Sequence, residues 1–375
     1  MNDIDIPSPC YVCDESKLLR NLRIMQNVQE QAGIDIILAL KGFSMWSTFD
    51  MVRQFLKGAT ASSVWEAKLA KEEMRGEVHA YSPAYKDADI KQLVSLCEHI
   101  SFNSISQFRR FETQVKAAKV SIGLRVNPEN QEAQTPIYDP CAPGSRLGIL
   151  ASQLSNQDLT GVEGFHIHNL CECDSYAAER TLLAIEDKFA QYLPGLKWLN
   201  LGGGHLMTSA NYDLSHLISV LNTFKAKYPH LRIIMEPGSA VAWQAGYLVS
   251  EVVDIVKNED EIAILDISAT AHMPDVLEMP YRPEVRYAAM PNVLPFNYKL
   301  GGNSCLAGDV IDKYSFEKPL KIGQQLIFED MLHYTMVKTT FFNGVEHPAI
   351  GILRENGQFE LVKKYSYSDF RNRLS

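Results

Sequence analysis

Between residues 35 and 236 the chain alternates short apolar runs with longer stretches of helical periodicity, and this rhythm restricts the folds open to it. The runs are 35–40, 58–62, 77–81, 99–102, 120–126, 162–168, 197–201 and 232–236, with helix-like segments such as 63–75 and 175–192 between them. Eight strand–helix repeats are what a (β/α)8 barrel requires, although an open doubly wound sheet has the same local pattern. The residues just after each run favour the barrel. They read Lys41, Ser62-Ser63, Ser82-Pro83, Asn103-Ser104, Asn127, His168, Gly202-Gly203-Gly204 and Glu236-Pro237-Gly238. Polar and reactive types thus gather at one end of the strands, and in a barrel those ends converge on one face.

The rhythm changes after about residue 245. Segments 248–257, 261–268, 325–328 and 333–342 are β-branched or aromatic runs separated by Gly, Pro and Asn, a pattern that predicts an antiparallel β domain. The apolar stretch 10–13 precedes the first helix and can supply that sheet with a strand. The expected organisation is an α/β fold: a (β/α)8 TIM-like barrel over 15–245, with 1–14 and 246–375 forming the C-terminal antiparallel β domain.

Composition narrows the class. Of 375 residues, 46% are hydrophobic, enough for a packed core. The net charge is −9, from 36 Lys and Arg against 45 Asp and Glu. That charge is ill suited to nucleic acid and compatible with a small cationic ligand. No apolar run reaches the roughly 18 residues of a membrane span. Met1-Asn2-Asp3-Ile4-Asp5 lacks the basic and apolar regions of a secretory signal, so a cytoplasmic protein without membrane contact is expected. Seven cysteines, an odd number, argue against a disulfide framework. Cys10 and Cys13, or Cys171 and Cys173 beside His166 and His168, could form part of a zinc site. However, residues three apart on a strand face opposite sides, and buried inert thiols explain Cys10 and Cys13 better. No metal is expected.

Three positions carry candidate chemistry. Lys41 directly follows Ile36-Ile37-Leu38-Ala39-Leu40; apolar surroundings disfavour the ammonium and free a nucleophilic amine for imine formation. Gly202-Gly203-Gly204 ends the seventh run, where barrels often bind phosphate through backbone N–H groups, and it does not fit the Rossmann fingerprint. Glu236 ends the eighth run with a carboxylate. Each also has a plain reading: a surface lysine, a tight turn, a first-turn acid. His166 and His168 share one side of the sixth run and could be metal ligands, core residues or rings that stack on a planar group.

Together these motifs resemble the alanine-racemase-fold (fold type III) pyridoxal-phosphate (PLP) decarboxylases, over about residues 8–345. Ala39-Leu40-Lys41 is similar to the motif of the PLP lysine, and Ala61-Ser62-Ser63-Val64-Trp65-Glu66 to the second-strand motif. The resemblance implies that His168 stacks on the cofactor ring, that Gly202, Gly203 and Gly204 form the phosphate loop, and that Glu236 pairs with the pyridine nitrogen. Gly302-Asn303-Ser304-Cys305-Leu306-Ala307-Gly308-Asp309 resembles the segment whose cysteine reaches the active site of a partner subunit, which implies a homodimer with Cys305 as proton donor. Phe328–Thr335 resembles the stretch whose tyrosine, here Tyr334, touches the PLP phosphate, and Phe342-Asn343-Gly344 continues the match.

Departures narrow the branch. Ser239 stands where ornithine-type enzymes carry a phosphate-gripping arginine, and Leu306 where relatives carry an acid. His168-Asn169-Leu170-Cys171-Glu172 replaces the His-Ile-Gly-Ser pattern of diaminopimelate decarboxylases. These features look like the compact carboxynorspermidine and carboxyspermidine decarboxylases of polyamine synthesis. Asp275, Glu278 and Asp309, with Ser239, are the candidates for substrate contact, and Arg146 for the cofactor's phenolic oxygen. The alternatives are a diaminopimelate or ornithine/lysine-type decarboxylase, a cofactor-free Schiff-base aldolase, a racemase, and a non-enzymatic PLP carrier. About 130 residues beyond 245 argue against the carrier, which lacks a β domain. Glu236 argues against the racemase, which places an arginine at the pyridine nitrogen.

Overall fold

The computed structural model describes residues 5–133 and 135–375; Met1–Ile4, part of the expected 1–14 segment, and Gln134 lie outside the described residues. The chain divides into two compact units, one running to Arg20 and resuming over Ala242–Ser375, the other Asn21–Val241. The division falls inside the helix Glu15–Ala32 rather than before it. Glu15 belongs with the first unit because its carboxylate accepts from the Arg354 guanidinium at 2.6 Å and from the Glu355 N–H at 3.0 Å.

Asn21–Val241 is the barrel. Its first stave is broken at Ile37 into Asp35–Ile36 and Leu38–Ala39; then follow Gly58–Ala61, Glu77–Tyr81, His99–Phe102, Ser121–Asn127, Gly164–His166, Trp198–Asn200 and Arg232–Met235. Every pairing between neighbours is parallel. The eighth stave returns to the first in register Ile234↔Asp35, and Leu38↔Ala59 joins the other half of that stave to the second, so the sheet nearly closes. An additional short strand, Ile149–Leu150, pairs with the fifth stave.

Helices between staves follow from local sequence. Ile105–Ala117 buries Phe108, Phe111 and Val115, a spacing of three and four, and Ser104 caps it by accepting from the Gln107 N–H at 3.2 Å. Asp174 and Asp213 cap Ser175–Phe189 and Leu214–Lys227 in the same way, each such cap contributing about 1 kcal/mol. Within the sheet, Trp198 lies so close to the sixth stave that a Cβ on Gly164 would stand 2.0 Å from the indole. Glycine there makes room for the ring, which packs with Ile37 and Ile234.

The other unit is a nine-stranded sheet. Cys10–Asp14 lies between Gly246–Asn258, antiparallel, and Ala349–Leu353, parallel. A second parallel pair joins Asp260–Leu265 to Phe296–Gly301, and the remaining pairings are antiparallel. The sheet is therefore mixed where an antiparallel one was expected, because the N-terminal strand and its C-terminal neighbour come from opposite ends of the chain and need no hairpin. Segment 333–342 is turns as far as 338 and irregular chain after it, not the predicted strand. Tyr334 sits at φ 51°, and its carbonyl accepts from the N–H groups of Val337 and Lys338, which turns the backbone out of any ladder. Among the described residues no helix is long and apolar enough to cross a membrane.

Candidate active site

The C-terminal ends of the staves hold most of the residues that the sequence singled out. Lys41 leaves the first stave by a sharp turn, in which Gly42 passes the Glu236-Pro237-Gly238 segment of the eighth. A Cβ on Gly42 would meet the Gly238 Cα at 2.7 Å, so this close approach, which brings the first and eighth stave ends together, excludes any side chain.

The Lys41 side chain is reachable from solvent, yet protein crowds its amine. That crowding, and then the neighbouring Arg125 guanidinium, pull its pKa below the ordinary lysine value; Glu236, Cys171 and Glu66 oppose the shift. His168 explains which form is present. The Gly203 N–H donates to His168 Nδ1 at 2.9 Å, so a neutral ring carries its proton on Nε2. Nε2 lies 3.2 Å from Lys41 Nζ, and donation there requires an amine with a free lone pair. Burial, with Lys41 and Arg125 nearby, also holds the His168 pKa well below the usual imidazole range. Both observations describe a neutral, nucleophilic lysine.

Glu236 is buried. Burial alone would push its carboxyl up, but His166 and Asn200 outweigh burial and keep it ionised. The Asn200 amide donates to Oε1 at 2.6 Å, while Oε2 faces His166 Nε2 at 3.4 Å. His166 is itself pulled toward the neutral form by burial, so the carboxylate is held by an amide and an imidazole dipole, not by a full cation. The long contact leaves Oε2 open to a stronger donor. A buried carboxylate open in this way fits a pyridinium N–H, and the neutral Lys41 amine fits an aldehyde; by donor chemistry the residues suit PLP.

The glycine loop behaves differently from its sequence reading. The Gly202 N–H is committed to Asn200 Oδ1 at 2.9 Å and that of Gly203 to His168, so two of the three amides brace other side chains. Ser239 begins the short helix Ser239–Ala242.

Arg125 and Asn200 were not singled out from sequence. Arg125 is buried, donates to the His168 carbonyl at 2.8 Å and lies 4.5 Å from the centre of the Tyr81 ring. A charge within Ile122-Gly123-Leu124-Arg125-Val126, like the amide within Leu199-Asn200-Leu201, is the signal that would have found them, since a polar group in a buried run needs a purpose. Arg146, offered for the cofactor's phenolic oxygen, lines a cavity of about 740 Å³ with Asn103, Asn127 and Gln153; Lys41, His168 and Glu236 do not line it. Arg125 is the cation beside Lys41.

In the sheet unit, Tyr334 and Lys338 occupy one turn, and Lys338 pairs with both Asp275 and Glu278. Cys305 is exposed, and its N–H donates to Asn343 Oδ1 at 2.6 Å. Asp309 is buried, with Oδ1 accepting from the Ala269 and Thr270 N–H groups and Oδ2 from the Ser304 N–H and hydroxyl. Its acceptor sites are filled from within the protein, so it is a brace and not a partner for a substrate amine.

The thiols of Cys10 and Cys13 lie in a buried strand, where burial raises the Cys10 pKa to about 12 and that of Cys13 still further. Cys173 donates to the carbonyls of Cys171 and Glu132. Glu77, His79 and His99 are close enough to share a metal ion. However, the two rings stack at 4.0 Å and 5°, so their lone pairs lie in parallel planes and do not converge on one ion.

The family model described as "Pyridoxal-dependent decarboxylase, C-terminal sheet domain" matches residues 10–331. The chain belongs to the pyridoxal-dependent decarboxylases. It is a carboxy-lyase that uses pyridoxal phosphate, and the barrel with a separate sheet is the fold type III architecture. It is 53% identical to the carboxyaminopropylagmatine decarboxylase of Synechocystis sp., over 98% of this chain and 96% of that protein. It is 43% identical to the carboxynorspermidine/carboxyspermidine decarboxylase of Campylobacter jejuni, over 97% and 98% of the two chains. The crystal structure of C. jejuni carboxynorspermidine decarboxylase complexed with norspermidine superposes with a TM-score of 0.92 at 42% identity, covering 98% of this chain and all of that one (100%). The diaminopimelate decarboxylase of Helicobacter pylori, at 18% identity and a TM-score of 0.83, shares the fold.

Proposed function

We propose that this decarboxylase acts on a carboxylated polyamine, removing CO₂ from the α-amino-acid end of carboxynorspermidine and carboxyspermidine to leave norspermidine and spermidine. The observation that carries this reading is the full-length likeness to the norspermidine-bound relative. A second reading is favoured by the greater identity to the Synechocystis protein: the far end of the substrate is a guanidinium, as in carboxyaminopropylagmatine. Both substrates share the reacting end, so one mechanism serves either.

When bound, PLP supplies an electron sink for the pair released as the Cα–carboxylate bond breaks. Lys41 would hold the cofactor through its neutral amine. Glu236, fixed by Asn200 and His166, would hold a proton on the pyridine nitrogen. His168, its Nδ1 tethered by the Gly203 N–H, would pack against the cofactor. Arg125 supplies positive charge beside the lysine and adds to the effect of burial in lowering its pKa. The Gly202–Gly204 loop would take the phosphate through the amide not spent on Asn200 or His168, with Ser239 standing where ornithine-type enzymes carry an arginine.

Cys305 of a partner subunit returns a proton to Cα, general-acid work contributing roughly 10²–10⁴-fold. This assignment requires a homodimer. Asp275 and Glu278 receive the distal cation by exchanging it for Lys338, an ion-for-ion replacement that leaves no carboxylate bare. Seven thiols, none of them in a disulfide, suit work in the cytoplasm.

The deciding experiment is CO₂ release from carboxynorspermidine, carboxyspermidine, carboxyaminopropylagmatine, diaminopimelate and ornithine at matched concentrations. Preference for the first two supports the first reading and preference for the third supports the second. Turnover confined to diaminopimelate or ornithine overturns both. Light scattering of the holoenzyme tests the dimer.

A further inference from the structure

The loop that carries Cys305 is held at two points of unequal strength. Ser304 is tied to Asp309, which is buried and saturated with donors. Cys305 is tied through its N–H to the side chain of Asn343, 38 residues further along the chain. Asn343 is exposed and sits at φ 59° in the turn Phe342–Gly344, a left-handed conformation that asparagine tolerates but that does not hold itself in place. The second anchor is therefore only as firm as whatever fixes that turn.

The Thr340 N–H, which donates to the Ala271 carbonyl at 2.8 Å, holds one end of it, and the C-terminal segment holds its aromatic side. The Phe341 ring, two residues before Asn343, meets Tyr365 edge-on at 5.8 Å and Phe370 at 6.2 Å, and the Arg373 guanidinium lies 5.9 Å from its centre. Phe341 also meets His347 at 5.1 Å, and His347 packs on Tyr365 at 4.1 Å, so the three rings form one cluster. His347 is immobilised in turn. Nδ1 faces the Pro348 carbonyl at 3.0 Å and Nε2 the Thr339 hydroxyl at 2.7 Å, so Nδ1–H donates and Nε2 accepts. The terminal helix Tyr367–Asn372 starts from a capping box in which the Ser366 hydroxyl and N–H both donate to Asp369. Six residues are too few to stay helical alone, so this helix depends on the aromatic cluster as much as the cluster depends on it.

We propose that the segment from Tyr365 to Arg373 is a clamp that sets the position of Cys305, acting through Phe341 and Asn343. Phe370 and Asn343 are positioning residues and make no contact with the reacting atoms. The proposal rests on the reading of Cys305 as proton donor only for its catalytic consequence; the mechanical link stands on the contacts alone. The family model ends at residue 331, so the clamp lies outside the part of the chain that the family shares by that measure.

The test uses the holoenzyme and the variants Phe370→Ala, Asn343→Ala, Phe370→Tyr and Cys305→Ser. Alkylation of Cys305 by iodoacetamide is followed by peptide mass spectrometry, beside kcat, KM and Tm. The clamp predicts that Phe370→Ala and Asn343→Ala change the alkylation rate at Cys305 several-fold and lower kcat roughly tenfold, with KM nearly constant, since misplacing a reacting group by about 1 Å costs up to ~10²-fold. Phe370→Tyr restores both readouts. If Phe370→Ala unfolds the chain, Asn343→Ala, which leaves the aromatic cluster intact, carries the test. Alkylation at the wild-type rate in Asn343→Ala and in folded Phe370→Ala overturns the clamp, even if Cys305→Ser abolishes turnover. A changed alkylation rate with full kcat in Cys305→Ser keeps the clamp and removes Cys305 from the chemistry.

Discussion

The two ends of the barrel contain similar residue types and use them in opposite ways. At the N-terminal end of the staves, charges meet their partners. Arg232 donates to Asp35 at 2.6 Å and to Glu77 at 3.0 Å, Lys197 pairs with Glu163, and Glu163 also accepts from Ser121, which accepts from the Trp198 indole N–H at 2.9 Å. The hydrogen bond from His79, and the Arg232 cation, bring the Glu77 pKa down to about 2 against the opposing effect of burial. At the C-terminal end the cations face one another. Lys41, Arg125 and His168 crowd together, and burial first, then this crowding, pulls the Lys41 and His168 pKa values down. Pairing at one end makes charge permanent, and crowding at the other makes it expendable. A barrel assigns stability to the first end and chemistry to the second.

The contrast breaks most readily at Lys41. Lys41→Ala in the purified holoenzyme should abolish the imine absorbance near ~420 nm and lower kcat by roughly 10³-fold or more, while Tm without cofactor stays within a few degrees. Retained turnover in a colourless protein would refute the neutral-amine account. The next largest effect belongs to Glu236→Gln, which keeps shape and removes charge. It should lower kcat by roughly 10²–10³-fold and shift the absorbance spectrum of bound PLP, because the interaction stabilises charge that develops during reaction.

Replacements at the opposite end should reverse the pattern. Arg232→Leu strands two half-buried carboxylates and should cost about 1–3 kcal/mol, read by urea unfolding, with kcat within about twofold of wild type. A tenfold loss of kcat without loss of stability would erase the distinction between the two ends.

The smallest effect concerns acid. Burial drops the His99 pKa to about 3 from 6.5, so between these values the unfolded chain binds a proton that the folded chain refuses. Glu77, lowered from 4.5 to about 2, acts in the same direction over its own range. Stability therefore falls as pH falls from 6.5 toward 3, and His99→Phe should reduce that slope by up to about one proton between those limits. An unchanged slope in urea titrations would show that His99 is protonated in the folded protein.

Much of this was legible in the residues themselves. The staves begin within two residues of the apolar runs, because alternation of strand and helix is written in hydrophobic period and in caps such as Ser104 and Asp174. Lys41, His168 and Glu236 were legible because reactive side chains at strand ends stand out against apolar runs. Arg125 and Asn200 were not, since one polar residue inside a strand reads as an irregularity until the sheet closes around it. Segment 333–342 misled for the converse reason: β-branched and aromatic residues mark a strand only when a neighbouring edge is available to pair with them.

The sequence by itself determined the barrel rhythm, the family and the residues able to form an imine and hold a ring nitrogen, because these depend on side-chain type and on spacing along the chain. Only the tertiary structure decided that Lys41 is neutral, that His168 has its proton on Nε2, and that Asp309 is spent on bracing. Protonation and availability are set by neighbours that closure of the sheet brings from distant stretches of chain, and no local pattern records them.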